Sequence, residues 1–288
     1  MPKTILIFGN GYVSKFLSKE LSELGYFVYC TSRNSESEKN TAQRNVKIVN
    51  FSDPALPALL KVANVILSTV PTDNEVIDPV LDKYVAILAQ ENPEWVGYLS
   101  STGVYGDHNG NWVNEQTQCQ ASNPKSKIRL LAEQQWLELY LQYKIPVHIL
   151  RLSGIYGPGR NCLEEINQGK DFTIFKKDQY FSRIHIFDLC QAIIASIHSP
   201  TPGEIYNISD DEPAPLHVVQ QFGASILNKK PLIELLPEDA QVSKQFQMFL
   251  NDNKKISNHK IVEKLHIKWK YPNYRIGLKE GCLPYCSG

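Results

Sequence analysis

The stretch Thr4-Ile5-Leu6-Ile7-Phe8-Gly9-Asn10-Gly11-Tyr12-Val13-Ser14 limits what this chain can fold into more than any other. An apolar run stops at Gly9, and Val13, Phe16, Leu17, Leu21 and Leu24 then recur at helical spacing until Gly25. This pattern spells a strand, a tight turn and an amphipathic helix. Gly9 permits the turn, and Gly11 lets an anion approach the backbone N–H groups of the helix's first turn, where peptide dipoles favour negative charge. Ser14 stands where a third glycine usually keeps helix and strand close, and it is small enough to do the same. Alone, a GxGxxS string is a weak signal. Between the first strand and first helix of a βαβ unit it predicts that Gly9, Asn10, Gly11, Tyr12 and Val13 hold a dinucleotide pyrophosphate.

The alternation of strand and helix continues. Residues 27–30, 46–49, 65–69, 95–100 and 147–150 read as further strands. Asp78-Pro79 opens a helix, with Asp as N-cap and proline at the first helical position, and Val80, Leu81, Tyr84 and Leu88 form its inward face. Asn123-Pro124 opens another, with Ile128, Leu131, Ala132, Trp136 and Leu139 in period. Asp188, with Gln191 three residues on, predicts a capping box. Six strands with intervening helices predict an α/β fold built on a doubly wound parallel sheet. Beyond Gly159 the pattern loosens, and prolines punctuate 200–202, 213–215 and 231–237. That remainder is expected to form a small C-terminal lobe at the sheet's carboxyl edge. The expected division is 1–158 with 183–200 returning to it, against a lobe of 159–182 and 201–288.

The end of the second strand bears on cofactor choice. An NAD site places an acid there for the ribose 2′-hydroxyl, whereas an NADP site places a cation. Here the sequence runs Thr31-Ser32-Arg33, with no acid. Ser32 and Arg33 are therefore expected to hold a 2′-phosphate, making the cofactor NADP(H). The alternative is an exposed arginine in a polar loop. Thirty basic and thirty acidic residues cancel, so no nucleic-acid partner is expected, and no apolar run is long enough to span a bilayer. With a strand-like segment beginning at Thr4, no leader is expected, and the predicted location is cytoplasmic. The six cysteines show no CxxC pair and are expected to be reduced; Cys282 and Cys286 have no histidine near them, and no metal is expected.

Four strings then occur in a telling order: 99–106 (LSSTGVYG), 151–159 (RLSGIYGPG), 183–188 (RIHIFD) and 203–208 (GEIYNI). With the glycine turn they resemble the extended short-chain dehydrogenase/reductases, the NAD-dependent epimerase/dehydratase superfamily, and the resemblance spans 5–212. The tail over 257–278 resembles the closing segment of that group's atypical members. The resemblance implies a Rossmann core with a small C-terminal substrate lobe. It also implies that Asp53 contacts the adenine, that Ser68, Thr69, Val70 and Pro71 line the ribose and nicotinamide side, and that Ser101 is the catalytic serine.

The sequence departs from the family where proton transfer is expected. Counting back from Leu131-Ala132-Glu133, the tyrosine of the family's Tyr-x-x-x-Lys pair is replaced by Lys125 and the lysine by Arg129. Arg129 can hold a ribose but cannot be deprotonated. Lys125 has two readings: a base whose charge Arg129 disfavours, or a solvated first-turn residue beside an anionic ligand. Asp107 and His108 are candidate proton donors, and they also read as a polar turn. Nucleotide-sugar members carry Asn where this chain has Gly154. His148 and His185 lie in apolar strands and are expected in the core. Two functions follow. One is an NADP(H)-dependent oxidoreductase or epimerase/dehydratase-like enzyme for a small hydroxyl, carbonyl or sugar-derived substrate, acting as monomer or homodimer. The other is an NADP(H)-binding sensor or scaffold without catalysis.

Overall fold

A computed structural model describes residues 3–34, 44–239, 246–247 and 250–282. Its centre is a parallel sheet of seven strands: β1 (Thr4–Phe8), β2 (Phe27–Ser32), β3 (Val46–Asn50), β4 (Val65–Ser68), β5 (Trp95–Ser101), β6 (Val147–Leu152) and β7 (Ile205–Ile208). Their order across the sheet is β7-β6-β5-β4-β1-β2-β3. The order of strand addition therefore reverses between β1 and β4, which pair in parallel from Ile5↔Val65 to Phe8↔Ser68. In such sheets the crevice outside the carboxyl ends of these two strands is where ligands bind. β2, β5 and β6 run longer than their apolar runs predict. β7 is a strand that the loosened pattern concealed, and it completes the sheet beyond β6.

The chain divides into two compact units. The first comprises 1–101, 124–151 and 190–206, and the second 102–123, 152–189 and 207–288. In the first, α1 (Tyr12–Glu23), α2 (Leu56–Val62), α3 (Pro79–Leu88) and α4 (Pro124–Tyr143) supply the helices. Leu6, Phe8 and Ile66 from the sheet meet Leu60, Tyr84 and Trp136 from the helices in one buried cluster. Asp78 caps α3 as its sequence predicts, accepting the N–H groups of Val80 and Leu81 through Oδ1. Its other oxygen accepts the Trp136 indole N–H at 2.8 Å, so one carboxylate joins α3 to α4.

The expected capping box at Asp188 is corrected. The helix α5 begins two residues earlier (Ile186–His198), leaving Asp188 inside its first turn. Its two oxygens accept the backbone N–H groups of Lys270 and Tyr271, each at 2.8 Å. A local capping motif read from the sequence is thus a long-range clamp in the second unit. Cys30, Cys119, Cys162, Cys190 and Cys282 form no disulfide among the described residues, and Cys286 lies outside them.

His148 and His185 are both buried, and each is held in its neutral form. Thr201 N donates to His148 Nε2 at 2.8 Å, and the ring's other nitrogen faces Val96 O at 3.2 Å. Phe187 N donates to His185 Nδ1 at 3.2 Å, and Nε2 faces Gly281 O at 3.3 Å. Burial lowers both imidazoles from 6.5 to about 4. The unfolded chain thus takes up these protons below pH 6.5, while the folded chain resists until about pH 4. Each ring therefore favours folding above its unfolded pKa and loses that contribution, about 1.4 kcal/mol per pH unit, as pH falls through the window. His148→Leu should flatten the decline in unfolding free energy between pH 6.5 and pH 4 relative to the unmodified chain. Identical slopes in denaturant titrations of the two proteins would contradict this.

Candidate functional site

The turn after β1 is held from both sides. Gly9 has φ +110°, a conformation L side chains rarely adopt, and an added Cβ would lie 2.3 Å from Thr69 Oγ1. Its N–H donates to Thr31 Oγ1 at 3.0 Å, tying the turn to β2. Thr69 donates through its hydroxyl to Phe8 O at 2.9 Å and meets Ser14 Oγ at 3.0 Å. Ser14 is fully buried, so at the position of the third glycine it keeps the close approach and adds a hydrogen bond across the switch point. Gly11 differs from Gly9. It precedes α1 with extended backbone and no side-chain cap, and a Cβ on it would meet nothing within 4 Å. The first turn of α1 is thus open to an anion, as the dipole argument requires.

Other residues expected to surround a cofactor are placed as follows. Arg33 is exposed just beyond β2, and Ser32 Oγ accepts Asn34 N at 3.2 Å. Asp53 accepts Ala55 N at 2.8 Å, starting α2, and borders an apolar groove of about 340 Å³ with Tyr29 and Leu59. Ser68 is fully buried with no hydrogen-bond partner for its hydroxyl, while Thr69 and Val70 are half-buried and Pro71 is exposed. The turn and Thr69 are therefore in direct contact; Arg33 and Asp53 lie beyond the ends of neighbouring strands.

Ser101 ends β5 and is half-buried, and Lys125 is exposed in the first turn of α4. Arg129, one turn further on, donates to Leu99 O at 2.9 Å and to the Tyr98 hydroxyl at 3.3 Å. Below it, the buried Glu133 accepts the Ser100 hydroxyl and a two-pronged contact from Arg151, with Nη2–Oε2 at 2.7 Å and Nε–Oε1 at 3.0 Å. Tyr98 and Ser100 alternate on one face of β5, so the strand is sewn to α4 at two successive positions. Sequence reasoning passed over this pair. The available signal was a lone charge in each of two otherwise apolar patterns, Glu133 beside Ala132 and Arg151 within β6.

In the second unit, Asp107 and His108 form the polar turn. Asp107 Oδ1 accepts the N–H groups of Asn109 and Asn253, and His108 N donates to Asn253 O. His108 Nε2 lies 3.0 Å from Tyr105 O. This unit also contains a cleft of about 580 Å³, bordered by Gly154, Tyr156, Arg160, Gln168, Phe181 and Arg183.

Residues 80–209 match the NAD dependent epimerase/dehydratase family. A solved structure of a functionally unknown conserved protein from Silicibacter pomeroyi is 35% identical, with a TM-score of 0.89 over 96% of this chain and 97% of that one. The chain belongs to the NAD-dependent epimerase/dehydratase family. Protein YeeZ of Escherichia coli K12 is a further relative, 28% identical over 94% of this chain and 97% of its own length. The Bacillus anthracis dTDP-glucose 4,6-dehydratase, solved with NAD, shares the fold at 19% identity and a TM-score of 0.79, covering 97% and 95%.

For this epimerase/dehydratase family member the two glycines separate two kinds of constraint. Gly11→Val should fold normally, since a Cβ there meets no protein atom, yet lose dinucleotide binding at least tenfold because the branched side chain fills the approach to α1. Circular dichroism and isothermal titration read the two effects. Unchanged dinucleotide affinity in a folded Gly11→Val protein would move the binding site elsewhere.

Proposed function

We propose that this chain binds a nicotinamide dinucleotide at the turn after β1, NADP(H) in preference to NAD(H). With it, the chain carries out oxidoreductase or epimerase/dehydratase-like chemistry on a small hydroxyl, carbonyl or sugar-derived substrate. The observation that supports this best is the switch-point turn, where Gly9 is forced against Thr69 while Gly11 is left open before an uncapped helix. A cradle of that shape suits a pyrophosphate. Gly9 to Val13 would hold it, with Ser32 and Arg33 at the 2′-phosphate, Asp53 at the adenine, and Thr69 and Val70 towards the nicotinamide. The bound dinucleotide supplies a reversible hydride donor and acceptor.

The chain's own residues divide the remaining work. Ser101, at the carboxyl end of β5, offers a hydroxyl to the reacting oxygen. Arg129 is a positioning residue, because its guanidinium is directed to Leu99 O. Lys125 lies one turn before Arg129 on the same face of α4, and we assign it the proton exchanged with the substrate oxygen. Asp107 and His108 are occupied in their turn and take no part.

Isothermal titration should give tighter binding of NADPH than of NADH, and Arg33→Ala should narrow the gap by about 1.5–3 kcal/mol, the worth of one charge-assisted contact. Equal affinities in the unmodified protein would sink the NADP assignment. Against a carbonyl substrate, Lys125→Met should remove most turnover and leave NADPH affinity intact. Turnover indifferent to that change would take the proton step away from Lys125.

A further inference from the structure

Charged groups of both signs line the cleft of the second unit: the carboxylates of Glu164 and Glu165 and the guanidiniums of Arg160 and Arg183. Glu164 Oε1 accepts Gly159 N at 2.7 Å and Asn161 Nδ2 at 3.1 Å, and Glu165 pairs with Lys170 at 2.7 Å. Arg183 borders the same cleft, and no carboxylate lies within ion-pairing distance of it among the described residues. Its Nη1 donates to Phe181 O at 2.7 Å and Ala214 O at 3.0 Å. Those two residues are themselves joined by an antiparallel bridge. One edge of the guanidinium is thereby pinned by neutral carbonyls, which orient the group without forming an ion pair.

The neighbour opposite explains how the arginine fits. Residues 154–156 and 183–185 pair as short parallel strands, with Gly154 in register with Arg183. Aligned residues on adjacent strands project to the same face. A Cβ on Gly154 would meet Ser182 O at 3.4 Å and Arg183 Cγ at 3.9 Å, so the missing side chain is the space beside which the arginine stem lies. The acid that acts most strongly on Arg183 is Asp210, 1% exposed, with Oδ2 lacking a hydrogen-bond partner among the described residues. Burial raises the Asp210 carboxyl well above the usual carboxylate range, and Arg183 opposes that shift.

We propose that Arg183, seated over Gly154, is the anchor for an anionic group, phosphate or carboxylate, on the molecule that occupies this cleft. The anchor is a charged fork in place of a neutral amide at position 154, and it selects for an acid end rather than for a base or a sugar ring. Calling that molecule the substrate rests on the function proposed above; the anion site itself does not.

The whole chain should be titrated calorimetrically with inorganic pyrophosphate and, separately, with malonate, at several fixed sodium chloride concentrations and with NADPH present to fill the turn after β1. At least one of the two should bind, weakening as salt rises. Pyrophosphate alone indicates a phosphorylated ligand, malonate alone a carboxylic acid. Arg183→Gln should lower that affinity at least tenfold, but it also removes the bonds to Phe181 O and Ala214 O. Gly154→Asp keeps those bonds and sets a carboxylate beside the guanidinium; it should abolish anion binding in a folded protein, while Gly154→Ala stays within about twofold of the original. Dinucleotide affinity, read on the same samples, should not change in any variant. Failure of both anions to bind, or binding unaffected by Gly154→Asp, would overturn the anchor. Loss of dinucleotide binding by the unmodified protein would overturn the proposed function and leave the anion result standing.

Discussion

The carboxylate of Glu133 joins α4, β5 and β6 in the first unit. It is buried, as is Arg151, and removing two charges from water costs several kcal/mol per ion unless geometry and further hydrogen bonds offset it. Both conditions are met, since the guanidinium approaches with two nitrogens and Ser100 adds its hydroxyl. The three residues belong to α4, β6 and β5. Arg129 and Lys125 extend from the same helix towards its N-terminus, and Ser101 follows Ser100 on the strand. Their relative placement is therefore a consequence of a pair that never touches a ligand.

A second constraint governs the other end of β1. Close approach of the strand ends at the switch point requires Gly9, and Thr69 bridges Phe8 and Ser14 across it. Nothing comparable restrains Gly11. The turn is rigid where it is packed and open where an anion would enter, which is the division of labour that pyrophosphate binding needs. The departure at Lys125 and Arg129 lies away from that turn, on α4. The replacement of the family's tyrosine by Lys125 thus leaves the turn after β1 as it is.

In the second unit, polar clamps act beside several smaller apolar clusters. Asp188 holds the backbone at 270–271, His185 reaches Gly281, and Tyr156 crowds the position of Gly277, where a Cβ would lie 2.1 Å from its hydroxyl. The residues of the RIHIFD string thus secure the C-terminal segment with two of their side chains, while Arg183 borders the cleft. One short string thus serves both the C-terminal segment and the cleft lining, which its position in the chain alone does not reveal.

The boundaries of β1, the Asp78 cap, the opening of α4 and the glycine turn were legible in the sequence, because each is a local matter of periodicity, backbone freedom and a side chain meeting its own helix. The family resemblance rested on strings of the same local kind. Contacts between distant residues were not legible. Asp188 reads locally as a helix cap and spends its oxygens on residues more than eighty positions away. Strand β7 carries only four residues and needs β6 beside it to be a strand. Glu133 and Arg151 look like solitary charges until α4 packs on the sheet, and Arg183 gains its setting only when Gly154 is brought into register beside it. Periodicity and turn chemistry act over a few residues; charge compensation and desolvation depend on which groups the completed fold brings within a few ångströms, and only the tertiary structure decides that.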